Sequence, residues 1–151
     1  MSKVKALSFV EDNEVDEAKA LIDKLFIEIT GKPFNYRPTG YWIACKIYVR
    51  PDKQGSIITA EVTKTQDELK SVSALVCAIG DDAFQGENLN GTTRFPNGPW
   101  CRVGDWITIP RHSSNIVKYR GVAMALIADD KIMGIVEDPA DITEYYAGNK
   151  V

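Results

Sequence analysis

Long apolar runs are missing from this sequence, and so are most residues that usually carry chemistry. No stretch approaches the roughly 20 apolar residues that a helix needs to cross a bilayer, so no membrane partner is expected. Histidine occurs once, at His112. No CxxC pair, GxGxxG turn or phosphate-binding loop is present, which removes the simplest zinc, redox and nucleotide sites. Basic residues are not in excess: 18 Lys and Arg stand against 21 Asp and Glu, giving a net charge of −3. Nucleic-acid binders carry a dense basic stripe that replaces phosphate counterions. Here the cations are scattered among acids, so no nucleic-acid partner is expected.

The remaining candidates for chemistry have plainer explanations. Cys45, Cys77 and Cys101 are an odd number at wide spacings. A zinc site would need a fourth ligand from a chain with one histidine, so three buried or half-buried thiols are the expectation. His112, between Arg111 and Ser113-Ser114, suits an exposed loop better than a Ser–His–carboxylate set. Asp81-Asp82 and Asp129-Asp130 read as turn acids rather than a cation site. Trp42, Trp100 and Trp106 could line a groove, though core packing is expected for at least two of them. Asn90-Gly91-Thr92 reads as a turn. Catalytic residues, metal ligands and cofactors are therefore expected to be none, which favours a binding or structural role over an enzyme.

What is present suits one domain of ordinary composition, with 151 residues and 44% hydrophobic content. Val15, Ala18, Leu21, Ile22, Leu25, Phe26 and Ile29 repeat with period 3.6 and predict a helix over 14–30. Asp12 or Asn13 can cap it, Glu14, Asp16 and Glu17 suit its positive end, and Gly31 and Pro33 suit its termination. Beyond Pro38 the period changes to two. Trp42–Arg50 predicts a strand with Ile43, Cys45, Ile47 and Val49 on one face. Further strands are predicted at Gly55–Val62, Val72–Ile79, Trp106–Ile109, Val122–Ala128 and Ile132–Val136, the last two joined by an Asp129-Asp130 turn. Six short strands suggest a small barrel or sandwich. A polar loop at 63–70 and a turn-rich excursion at 81–101 interrupt them, and an excursion that long is usually functional or a hairpin of its own.

The order of these segments resembles the GroES-like co-chaperonin fold. In that family a first strand leads through a mobile loop to a glycine-led apolar run; here Tyr41–Arg50 precedes Gly55-Ser56-Ile57-Ile58-Thr59. Val76-Cys77-Ala78-Ile79-Gly80 looks like the family's strand closing on a glycine turn. Arg102-Val103-Gly104-Asp105-Trp106-Ile107 resembles its Lys-Val-Gly-Asp strand entry. Ala128-Asp129-Asp130-Lys131-Ile132-Met133-Gly134-Ile135-Val136-Glu137 looks like its last hairpin. Phe95–Trp106 and Glu137–Ile142 are closest in character to phage-encoded members.

The resemblance spans residues 41–138. It implies a mainly β protein with a small GroES-like barrel over 41–142, and leaves outside it an N-terminal helical extension over 1–40 and a tail at 143–151. It implies a homo-oligomeric ring, seven subunits by the family's pattern, capping a host chaperonin that folds capsid protein. Lys53, Gln54, Gly55, Ser56, Ile57, Ile58 and Thr59 would form the chaperonin docking loop, and 81–101 the roof. The lead-in Pro51-Asp52-Lys53-Gln54 is shorter than the family's loop, and Thr59 replaces a large aliphatic residue. An alternative use of the same barrel is a phage virion protein, a decoration or head component contacting the major capsid protein. Met1–Val10 lacks an apolar run of signal-peptide length, so the host cytoplasm is the expected compartment, or the virion in the alternative.

Overall fold

The amphipathic repeat at the start of the chain forms a helix, α1 (Val15–Thr30), in the computed structural model, which describes residues 15–49, 73–110 and 115–142. Thr30 and Gly31 end it: Gly31 takes φ +83°, its N–H donates to the Ile27 carbonyl at 2.8 Å, and Thr30 Oγ1 donates back to the Phe26 carbonyl. Six strands follow: β1 (Trp42–Ile47), β2 (Ser73–Ile79), β3 (Trp106–Thr108), β4 (Asn115–Tyr119), β5 (Val122–Ala128) and β6 (Gly134–Val136). They make one antiparallel sheet in the order β4-β5-β1-β2-β3-β6. Two short 3-10 turns, Asp129–Lys131 and Pro139–Asp141, complete the described chain.

The mainly β character holds, and the architecture differs from the barrel or sandwich expected. Among the described residues β4 and β6 stand at opposite edges and do not pair with each other, so the sheet is not closed. It is buried on both faces instead. Ile43, Cys45, Ile47, Ala74, Val76, Ile107, Ala123, Ala125 and Ile127 project to one face, where Phe84, Phe95 and Cys101 of the excursion cover them. Ala44, Leu75, Cys77, Val122 and Met124 project to the other, under Ala18, Ile22 and Phe26 of α1. Covering both faces is why Ser73-Ala74-Leu75-Val76-Cys77-Ala78-Ile79 is a nearly continuous apolar run rather than an alternating one. A bulge lies in the β1–β2 ladder: Ala44 faces Ala78 and Cys45 faces Val76, leaving Cys77 as the extra residue.

β4 was not expected from the sequence. It is an edge strand with exposed Asn115 and Lys118, so its short Ile116-Val117 core is too brief to signal itself. The turn after it is a clearer cue: Arg120 and Gly121 both have positive φ, +50° and +83°, as a two-residue hairpin with the sheet's twist requires. The expected strand at Ile132–Val136 is shortened to Gly134–Val136, and the expected Asp129-Asp130 turn is a 3-10 turn over Asp129–Lys131. The expected strand at Gly55–Val62, the loop at 63–70, His112, the helix-capping residues before Val15 and the tail at 143–151 lie outside the described residues.

Candidate functional site

Lys53–Thr59, expected to form a docking loop, fall in the β1–β2 connection and lie outside the described residues. What the sheet fixes is where that connection is anchored. Ile47 faces Ala74, and the Tyr48 N–H donates to the Ser73 carbonyl at 2.9 Å, so the chain leaves and re-enters at adjoining points of two central strands. Ser73 pairs with Thr108 and Thr108 with Gly134, which puts the starts of β2 and β6 and the end of β3 at the same end of the sheet. Trp106 packs edge-on against Tyr48 there, with ring centroids 5.6 Å apart.

The excursion begins at the opposite end, where Trp42, Ile79 and Ala128 lie. Gly80 and Gly40 pack backbone to backbone: a Cβ on Gly80 would stand 2.2 Å from the Gly40 carbonyl oxygen. That contact lets the Asp82 N–H donate to the same oxygen at 3.0 Å. The chain then turns through Phe84, whose φ of +64° is unusual for an aromatic residue. Buried Asp129 holds this turn, accepting a 2.7 Å hydrogen bond from the Phe84 N–H. Phe84 stacks edge-on against Phe95, and Phe95 against Trp100, at 5.3 and 5.1 Å. Arg94 lies over the Phe95 ring and pairs with Asp130. A small hairpin, bridged at Glu87 and Thr93, carries Leu89 fully exposed at its tip.

These contacts give the second acidic pair, Asp129-Asp130, a structural use. Asp129 satisfies a buried amide and Asp130 tethers Arg94, while Asp81 and Asp82 are exposed. Among the described residues no group of three or more His, Cys, Asp or Glu side chains could hold a metal ion. Arg102-Val103-Gly104-Asp105, the segment resembling the family's strand entry, is a tight turn. The Asp105 carboxylate accepts from the Arg102 N–H at 2.9 Å, and Gly104 takes φ +99°.

All three cysteines are buried free thiols. Burial is the main cause that pushes each one up: Cys77 to about 12, Cys45 well above its ordinary value, and Cys101 likewise, with Asp105 adding to the effect. Thiols held protonated in this way are poor nucleophiles and poor ligands.

The feature that sequence reasoning missed is an apolar groove of about 350 Å³ between α1 and the sheet. Glu17, Ala18, Leu21, Ile22 and Leu25 form one wall, and Leu75, Gly104 and Trp106 the other. The helical stripe gave no warning, because it counts Leu21 as core while the packed helix leaves that side chain 66% exposed. Trp106 is thus the tryptophan that lines a groove; core packing, expected for at least two of the three, is not found, since Trp42 is half-buried against Tyr41 and Trp100 is exposed beside Phe95. No protein-family model matches the chain, and no curated protein is significantly similar to it.

Proposed function

We propose that this protein is a non-enzymatic binding module, a phage-encoded co-chaperonin of the GroES-like type, that docks a host chaperonin through its β1–β2 connection. The observation that carries this reading is topological. The connection holding Lys53–Thr59 is anchored at one end of the sheet, and the Gly40–Gly80 junction and the excursion at the other. A partner engaged at one end leaves the other free, as a ring that caps a chamber requires. β1 and β2 are central strands buried on both faces, so they give the connection a rigid base. Ile57 and Ile58 would enter an apolar groove on the partner, each contributing about 1.5–3 kcal/mol if fully buried. Ordering of the connection offsets part of that gain and keeps the contact reversible, while a ring restores avidity.

Sedimentation of the protein with a bacterial chaperonin and nucleotide tests the reading, with Ile57→Asp as the control. Nucleotide-dependent co-sedimentation that Ile57→Asp abolishes is the expected result. Absence of binding by the folded protein would sink it.

A second reading is a virion component contacting the major capsid protein. The exposed Leu89 at the hairpin tip favours it, because a docking contact through residues 50–72 does not use that side chain. Finding the chain in purified particles, without chaperonin binding, would select this reading.

A further inference from the structure

α1 leaves part of its apolar surface uncovered. Glu17, Leu21 and Leu25 form one row and Ala18 and Ile22 another, facing Leu75, Gly104 and Trp106 across the groove. From Glu17 to Leu25 the groove runs about 12 Å along the helix, at about 1.5 Å per residue. We propose that its occupant is the chain's own N-terminal segment, residues 1–14.

Position, reach and composition all point to that segment. α1 begins at Val15, so residues 1–14 join the helix within one turn of Glu17, the first residue lining the groove. Glu11-Asp12-Asn13-Glu14 is polar and suited to reversing the chain. Val4–Val10 then reaches roughly 23 Å when extended, at about 3.3 Å per residue, which exceeds the groove's length. Five of its residues are apolar, Val4, Ala6, Leu7, Phe9 and Val10. Attachment to the helix also gives the segment an effective concentration of order millimolar, so a shallow apolar contact is enough to hold it. Any external partner for this groove must first displace it.

Thiol labelling tests the proposal in the full-length protein. A Leu21→Cys side chain reports on the groove, and a Leu89→Cys side chain gives the rate of a fully exposed thiol; the three native thiols are buried and slow. In the full chain Leu21→Cys is expected to react with a small maleimide about tenfold more slowly than Leu89→Cys. Deleting residues 2–11 should bring the two rates together. The double change Leu7→Asp and Phe9→Asp should do the same without shortening the chain. Equal rates in the full chain would overturn the proposal, and so would protection that survives both changes. Protection that grows with protein concentration would also overturn it, by making a second copy the occupant.

Discussion

The two faces of the sheet are covered by different means. On one, a regular helix lays down Ala18, Ile22 and Phe26, and leaves a groove beside Leu21. On the other, an irregular excursion packs Phe84, Phe95 and Cys101 onto the sheet, using backbone contact at Gly40–Gly80 and a buried carboxylate at Asp129. A helix satisfies its own backbone groups and needs only a matching apolar stripe. A loop that covers a core must find a partner for each buried amide. The helix face should therefore fail by losing volume, and the excursion face by losing specific polar and backbone contacts.

Removing the central helix side chain should have the largest effect. Phe26 is fully buried and packs 4.8 Å from the Phe34 ring. Phe26→Ala is expected to lower unfolding free energy by about 4 kcal/mol in a urea titration. Gly80→Ala comes next, at about 3 kcal/mol, because the new methyl overlaps a backbone oxygen rather than a side chain that can swing away. A loss below about 1 kcal/mol there would mean that the Gly40–Gly80 contact relaxes easily, removing much of the contrast between the faces.

Asp129→Ala should cost about 2 kcal/mol by leaving the Phe84 N–H buried without its acceptor, and Asp129→Asn about half that, since its carbonyl can still accept. The urea titration that measures Phe26→Ala ranks these too. An equal loss for both Asp129 variants would show that charge, rather than the hydrogen bond, holds the excursion.

Cys77 sharpens the comparison through pH. Its folded pKa is raised to about 12 from an ordinary 9.0, chiefly by burial against the helix face. The thiol is protonated in both states below 9.0, so its contribution is fully present there. As pH rises from 9.0 toward about 12 the unfolded thiol ionises while the folded one does not, and stability falls. Melting temperatures at pH 8 and pH 10.5 should therefore converge more closely for Cys77→Ala than for the parent protein. The smallest effect is expected at Leu89→Ser, under about 0.5 kcal/mol, because that side chain is fully exposed.

Some of this structure was legible in the residues themselves. The 3.6-residue repeat with Gly31 behind it predicts α1 to within a residue or so, and the alternation of Ile43, Cys45 and Ile47 predicts the buried face of β1. Val122–Ala128 matches its predicted bounds, because β5 is central and apolar throughout. β4 escaped because an edge strand buries little and so needs few apolar residues. The groove escaped for a related reason: a hydrophobic repeat tells which side of a helix is apolar, but not how much of it the sheet covers.

By itself the sequence determined the mainly β class, the helix that precedes the sheet and three thiols at least half-buried. These depend on local periodicity, turn chemistry and the apolar neighbours of the cysteines. Tertiary structure decided the rest: an open sheet with two covered faces, Phe84 held at positive φ by an aspartate distant in sequence, and the groove beside Leu21. The reason is that strand alternation fixes which side chains share a face, while strand order and what covers each face come from contacts between residues far apart in the chain.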